Sequence, residues 1–180
     1  MPDTRTQILD LAERAIRLRG YHAVSFREFA DELGIKSASI HYHFRHKEDL
    51  GLAVVDRYAE RIQSQVGAPD ARDWPASLAR FCQVYQDALR KNELQCLCGM
   101  LAAESAGLPQ AVADRVSAFF QANLAWLTAA MSDDMADKPD TALRIQCTLQ
   151  GAMTVAVSLK DATVLDQVAE RICADYANPH

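Results

Sequence analysis

The chain of 180 residues has few of the features that mark several common protein classes. Seven glycines and no runs of alternating polar and apolar residues leave nothing that reads as a sheet. No uninterrupted apolar stretch approaches the ~18 residues needed to cross a bilayer. The N-terminus is polar from Pro2 to Gln7, so no leader pattern is present, and a cytoplasmic, membrane-free protein is expected. Excess positive charge is also missing, with 19 Lys and Arg against 24 Asp and Glu. A broad basic field for nonspecific nucleic-acid binding is thereby excluded. The five cysteines, at 82, 96, 98, 147 and 173, lack zinc spacing: Cys96 and Cys98 are too close for a C-x2-C knuckle, and no second pair follows. Reduced thiols are expected, with no metal and no cofactor.

What is present is helical periodicity and a 49% hydrophobic composition, enough for a sizeable core. The pattern predicts an all-α fold of about nine helices. Residues 4–19 carry a T-x-x-Q capping box at Thr4 and Gln7, an apolar stripe and a terminating Gly20. Ser25 and Glu28 form an S-x-x-E box, after which Phe26, Phe29, Ala30 and Leu33 fall on one face until Gly34. A second short helix follows over about Ser37–Tyr42, and another amphipathic helix begins near Lys47. Helix, glycine-containing turn, helix is the pattern of a helix-turn-helix, in which the second helix reads the major groove. The same spacing also suits an ordinary helical hairpin with solvated polar residues.

Residues Gly34 to Leu50, GIKSASIHYHFRHKEDL, together with Ile8 to Val24, resemble the TetR/AcrR family of one-component transcriptional regulators. The resemblance implies a helix-turn-helix DNA-binding domain over residues 1–50 and a helical effector-binding and dimerisation domain over 51–180. It implies that Ser25 and Lys47 hold phosphates, that Lys36, Ser37, Ala38, Ser39, His41, Tyr42 and His43 face the groove, and that Ile40 and Phe44 lock the helix in place. Lys36 and His41 depart from the family, which often has a hydroxyl residue and a tyrosine there. The partners implied are a pseudo-palindromic double-stranded DNA operator, a small-molecule effector and a second copy of the chain. The function expected is that of a homodimeric repressor, not an enzyme, released by a hydrophobic or electrophilic effector. Charge placement fits this: residues 1–50 hold eight basic and eight acidic residues, so the acidic excess lies in the remainder.

In the body, helices are expected over 73–91, 96–105, 109–131, 141–159 and 162–176, with Asp140 and Asp161 as N-caps. Gly67 to Asp73 is the expected boundary between head and body. Phe81, Tyr85, Met100, Phe119, Phe120, Trp126 and Met153 are candidates for an apolar effector cavity, or are core filling. Glu104, the one acid in an apolar block, would orient a ligand or simply cap or solvate. The block CLCGMLAAE, Cys96 to Glu104, is similar to the electrophile-sensing NemR-type branch, which implies a reactive Cys96 with Arg90 and Lys91 near enough to favour its thiolate. Against this, Cys96 and Cys98 read equally as small buried core residues. Small residues Gly151, Ala152, Ala156 and Ser158 suit either a dimer interface or close packing within the chain. Two other functions stand beside the regulator: a thiol-dependent enzyme pairing Cys96 or Cys98 with His41 or His43, and a helical adaptor without DNA.

Overall fold

A computed structural model describes residues 3–92 and 94–176, and among these residues there are nine α-helices and no strands. They are α1 (Thr4–Arg19), α2 (Phe26–Leu33), α3 (Ser37–His43), α4 (Lys47–Val66), α5 (Trp74–Asn92), α6 (Leu97–Ala103), α7 (Gln110–Ala130), α8 (Lys138–Leu159) and α9 (Thr163–Tyr176). No helix among the described residues is long and apolar enough to cross a membrane.

Helix starts depend on which side chain accepts the orphan amides of the first turn. At α1 the acceptor is Asp3, which takes the Thr6 N–H at 2.7 Å, so the expected Thr4 and Gln7 box is displaced by the carboxylate one residue earlier. At α2 the expected Ser25 cap forms, with Ser25 Oγ accepting the Glu28 N–H at 3.3 Å, while the Glu28 carboxylate pairs with Arg19. Asp73 lies outside α5 and accepts the Ala76 N–H, and Pro109 lies outside α7, where its carbonyl accepts from Val112 and Ala113. The α8 start moves three residues ahead of the expected Thr141. Its cap is Asp137, not Asp140, because Pro139 fits the first turn, where a missing N–H leaves nothing unsatisfied. Asp161 accepts from Thr163 at the head of α9, as expected.

Packing divides the chain into two compact units, and they are not successive. The first comprises residues up to Glu60 together with Leu97–Ser117; the second comprises Arg61–Cys96 and everything from Ala118 onward. A functional division at residue 50 and this division by packing therefore differ. The expected boundary at 67–73 lies inside the second unit, where it is tied down: Arg80 donates to the carbonyls of Val66 and Ala68, and Trp126 Nε1 donates to Gly67 O at 2.7 Å.

In the first unit α1 packs on α2 and α6, and α2 on α3. Its core includes Ile8, Ala12, Ile16, Phe29, Ile40, Phe44, Leu50, Val54, Tyr58, Leu97 and Leu101. Arg57 of α4 reaches Asp10 at 2.7 Å and the buried Glu13 at 3.1 Å on α1, so the buried carboxylate is paired. In the second unit α8 packs on α9, and both pack on α5 around Leu78, Leu89, Ile145, Leu149, Leu165 and Ile172.

Candidate nucleic-acid interface and sensor core

The turn between α2 and α3 is set by Gly34, whose φ of 65° is left-handed. Its N–H bonds back to the end of α2, and the Ile35 N–H reaches the Ala30 carbonyl at 3.0 Å, closing the helix. The chain re-enters a helix at Ser37, with Lys36 extended at the cap and its carbonyl accepting from Ser39. One face of α3 is anchored, since Ile40 is fully buried and Phe44 nearly so, with the Arg5 guanidinium 5.3 Å from the Phe44 ring. The opposite face is bare. Lys36, Ser37, Ala38 and His41 are exposed, Ser39 and His43 are half-buried, and Tyr42 is 86% exposed. A tyrosine that exposed covers no core, and its ring meets only His43, edge-on at 5.2 Å, among the rings of the tip.

Two further side chains frame this tip. The His41 ring packs edge-on against Phe26 at 5.1 Å, which fixes its direction. Lys47 at the start of α4 is half-buried, with Nζ donating to the His22 carbonyl at 3.0 Å and lying 4.8 Å from the Tyr21 ring centre. Burial lowers its pKa, and the Glu104 charge acts in the opposite sense. Tyr21 Oη is in turn pushed up to about 12, mainly by burial and then by Glu48. Ser25 Oγ accepts one amide and keeps its hydroxyl proton to donate.

Glu104 occupies a place that its sequence context did not indicate. From the end of α6 its carboxylate accepts the Tyr21 backbone N–H at 2.8 Å, inside the first unit. Its carboxylate is thus a structural acceptor for the turn that carries Lys47's partners, which is nearer the capping reading of this residue than the ligand-orienting one. Nothing local signals this, because the two residues are 83 apart in the chain.

The expected cavity residues are divided between the units. Cys98, Met100 and Glu104 belong to the first; Phe81, Tyr85, Cys96, Phe119, Phe120, Trp126 and Met153 belong to the second. In the second, Phe81 stacks on Trp126 at 5.4 Å and tilts against Tyr85 at 5.6 Å, making a row of three rings, while Phe119 and Phe120 meet edge-on at 5.2 Å. Cys96 and Cys98 are buried, and the Cys96 N–H donates to Met153 Sδ. Arg90 is engaged with Asp166 at 2.8 Å. The buried-core reading of these two thiols fits this environment. The exposed thiol is Cys147, which sequence reasoning passed over. It stands in a row four residues apart on α8 with Leu143, Gly151, Val155 and Leu159, all exposed.

A bare-faced recognition helix held in a glycine-turn hairpin, followed by a long α4 and a helical body, defines a helix-turn-helix regulator architecture. Residues 8–54 match the model for "Bacterial regulatory proteins, tetR family". That match runs from within α1 to within α4, so it is the head of this chain that is similar to the tetR family. It is 36% identical over 64 residues to the HTH-type transcriptional activator FasR of Mycolicibacterium smegmatis, a stretch covering 36% of this chain and 29% of that one. The match thus spans under a third of that relative's length. Along nearly its whole length, 93% of this chain and 92% of the other, it is 28% identical to the HTH-type transcriptional repressor Rv1474c of Mycobacterium tuberculosis. A solved TetR transcriptional regulator from Legionella pneumophila is similar throughout, with a TM-score of 0.86, 28% identity and 96% of each chain covered.

Proposed function

We propose that the protein is a cytoplasmic DNA-binding transcriptional regulator, a homodimeric repressor that leaves its operator when a small effector occupies the body. The observation that carries this is the α3 tip, with Lys36, Ser37, Ala38, His41 and Tyr42 exposed on a helix whose other face is locked by Ile40 and Phe44. A rigid helix presenting hydroxyl, imidazole, ammonium and phenol groups suits base edges, and Ser25 and Lys47 at its flanks suit phosphates. The full-length similarity to a relative named as a repressor supports that sign of regulation.

A second copy is called for by geometry on the DNA side and by chemistry on the protein side. Two heads reading half-sites must sit about one helical turn, ~34 to 36 Å, or a multiple apart. The exposed α8 row, with Leu143 and Val155 each 48% and Leu159 64% exposed, is apolar surface suited to a partner helix, and Gly151 leaves open space at its middle. An effector that binds better to a dimer with its heads splayed would drain the operator-bound population.

The test is fluorescence anisotropy with DNA from upstream of the protein's own gene. Specific binding is expected, with log affinity falling linearly in log salt at about −0.9 per phosphate contacted, and a shallow slope for this near-neutral head. Leu159→Glu should dissociate the dimer in sedimentation and weaken operator binding with it. A monomeric wild type at micromolar concentration, or binding indifferent to DNA sequence, would sink the reading. A thiol enzyme gains no support, since the Cys96 and Cys98 thiols are enclosed and His41 packs on Phe26 in the head.

A further inference from the structure

Buried polar atoms without partners are the exception in folded proteins, because burial removes their water and each expects a hydrogen bond in return. The second unit holds a concentration of them on one helix face. Gln146 and Gln150 stand one turn apart on α8, so their side chains share a face. Gln146 is 4% exposed, and its Nε2 donates to the Tyr85 hydroxyl at 2.6 Å, which fixes the amide and leaves Oε1 buried with no partner. Gln150 has both amide atoms, Nε2 and Oε1, buried and unmatched. Three hydrogen-bonding atoms, two acceptors and a donor, are thus enclosed and unused on one face of α8, which meets Tyr85 at Gln146. Tyr85 is also the end of the row of rings formed with Phe81 and Trp126.

We infer that this face is the specificity element of the effector site, and that it takes an uncharged, planar ligand carrying an N–H beside a C=O, as in an aromatic lactam. The inference rests on the reading of the body as an effector domain. A primary amide offers a donor and an acceptor side by side, and a lactam edge returns an acceptor and a donor in the same plane. Gln150 supplies the pair, Gln146 Oε1 stands one turn away as an alternative acceptor for the same N–H, and the aromatic row covers the ligand's flat face. Charge is selected against. Arg90 is exposed and paired with Asp166, Arg144 is exposed and paired with Asp140, and Asp87 accepts from Gln83, so a carboxylate or ammonium entering beside the glutamines would meet no free counter-charge among these groups.

The experiment titrates the full-length protein calorimetrically with 2-quinolinone, with N-methyl-2-quinolinone, in which the donor is blocked, and with 2-naphthoate, in which the edge is charged. Wild type should bind 2-quinolinone at least about tenfold more tightly than either, the worth of one buried hydrogen bond left unmade. Gln150→Leu should lose that preference and should also raise the thermal midpoint of the free protein, since an apolar residue of similar size removes the unmatched amide. Equal affinity for the three probes, no binding of 2-quinolinone, or a Gln150→Leu protein less stable than wild type would overturn the assignment. Operator binding measured without probe separates the two readings. A protein that holds its operator but ignores 2-quinolinone loses this site and keeps its regulator role, whereas one that binds 2-quinolinone but no operator does the reverse.

Discussion

Replacing Gly20 by alanine strikes the contact between the end of α1 and Glu104, the residue that follows α6. Gly20 has φ 83° and ψ 173°, a region that residues with a Cβ avoid, and the cost of holding one there is about 1–3 kcal/mol. A Cβ at this position would overlap Glu104 Oε1 and lie 2.7 Å from Glu104 Cδ. The carboxylate must therefore swing away and give up the Tyr21 N–H that it accepts at 2.8 Å. A charge-assisted bond at this half-buried site is worth roughly 1–2 kcal/mol after solvent screening. The sum is about 2–5 kcal/mol, or roughly 4–20 °C in midpoint for a chain of this size. Thermal and urea denaturation followed by circular dichroism would measure it, in wild type and in a Glu104→Ala background. In that background the clash and the bond are already gone, so Gly20→Ala should cost only the backbone strain of about 1–3 kcal/mol. An identical loss in both backgrounds would refute the reasoning, because the alanine would then be indifferent to the carboxylate.

Other outcomes follow from the same geometry. Tyr42→Ala should leave stability within about 0.5 kcal/mol, since the ring covers no core, while weakening operator binding about tenfold; Ile40→Ala, fully buried on the anchored face, should instead cost about 2–4 kcal/mol of stability, and unfolding curves with anisotropy distinguish the two. N-ethylmaleimide should label Cys147 first in the Leu159→Glu monomer, where the α8 row is uncovered, ahead of Cys96 and Cys98, which are enclosed, and of Cys82, whose thiol is pushed well up by burial and by neighbouring Cys173; peptide mapping in which Cys96 reacts first would overturn that order. Asp3 and Asp161 are held below the ordinary carboxyl value of 3.8 by the hydrogen bonds they accept from Thr6 and Thr163. Their contribution is therefore complete above 3.8 and is lost as pH falls through their lowered values. The double Asp3→Asn, Asp161→Asn variant should flatten the acid limb of a urea-midpoint profile, and an unchanged limb would count against the caps.

The head was legible in sequence because its determinants are local. The Ser25 cap, the α2 stripe and the left-handed Gly34 lie within ten residues of one another, and each acts through neighbours in the chain. The same holds for the exposure of Tyr42, which stands two residues from each of the buried Ile40 and Phe44 and so on the opposite face of the helix. Legibility failed where two acceptors competed, as at Asp3 over Thr4 and Asp137 over Asp140, since the choice depends on turn geometry that spacing does not encode. It failed more deeply where the partner is distant. Glu104 sits among apolar residues that suggest a pocket, and only the folded chain brings Tyr21 to it. The unmatched amides of Gln146 and Gln150 escaped for the converse reason: glutamine on a helix is ordinary, and its burial is decided by α5 packing against α8.

The discontinuous first unit has a consequence in time. Its opening sixty residues hold all of α1, α2 and α3, yet the unit closes only with Leu97–Ser117, which brings Glu104 to Tyr21 and sets Val112 against Gly51. Between Glu60 and Ser117 the ribosome must add a further stretch of chain that, at ~5–20 residues per second, takes on the order of seconds. A nascent chain carrying a complete recognition helix is still without the acceptor that steadies the turn beneath Lys47. Maturation of the head is thus tied to synthesis of the body, and a chain truncated in α5 would leave the ribosome with its reading surface made and its support missing.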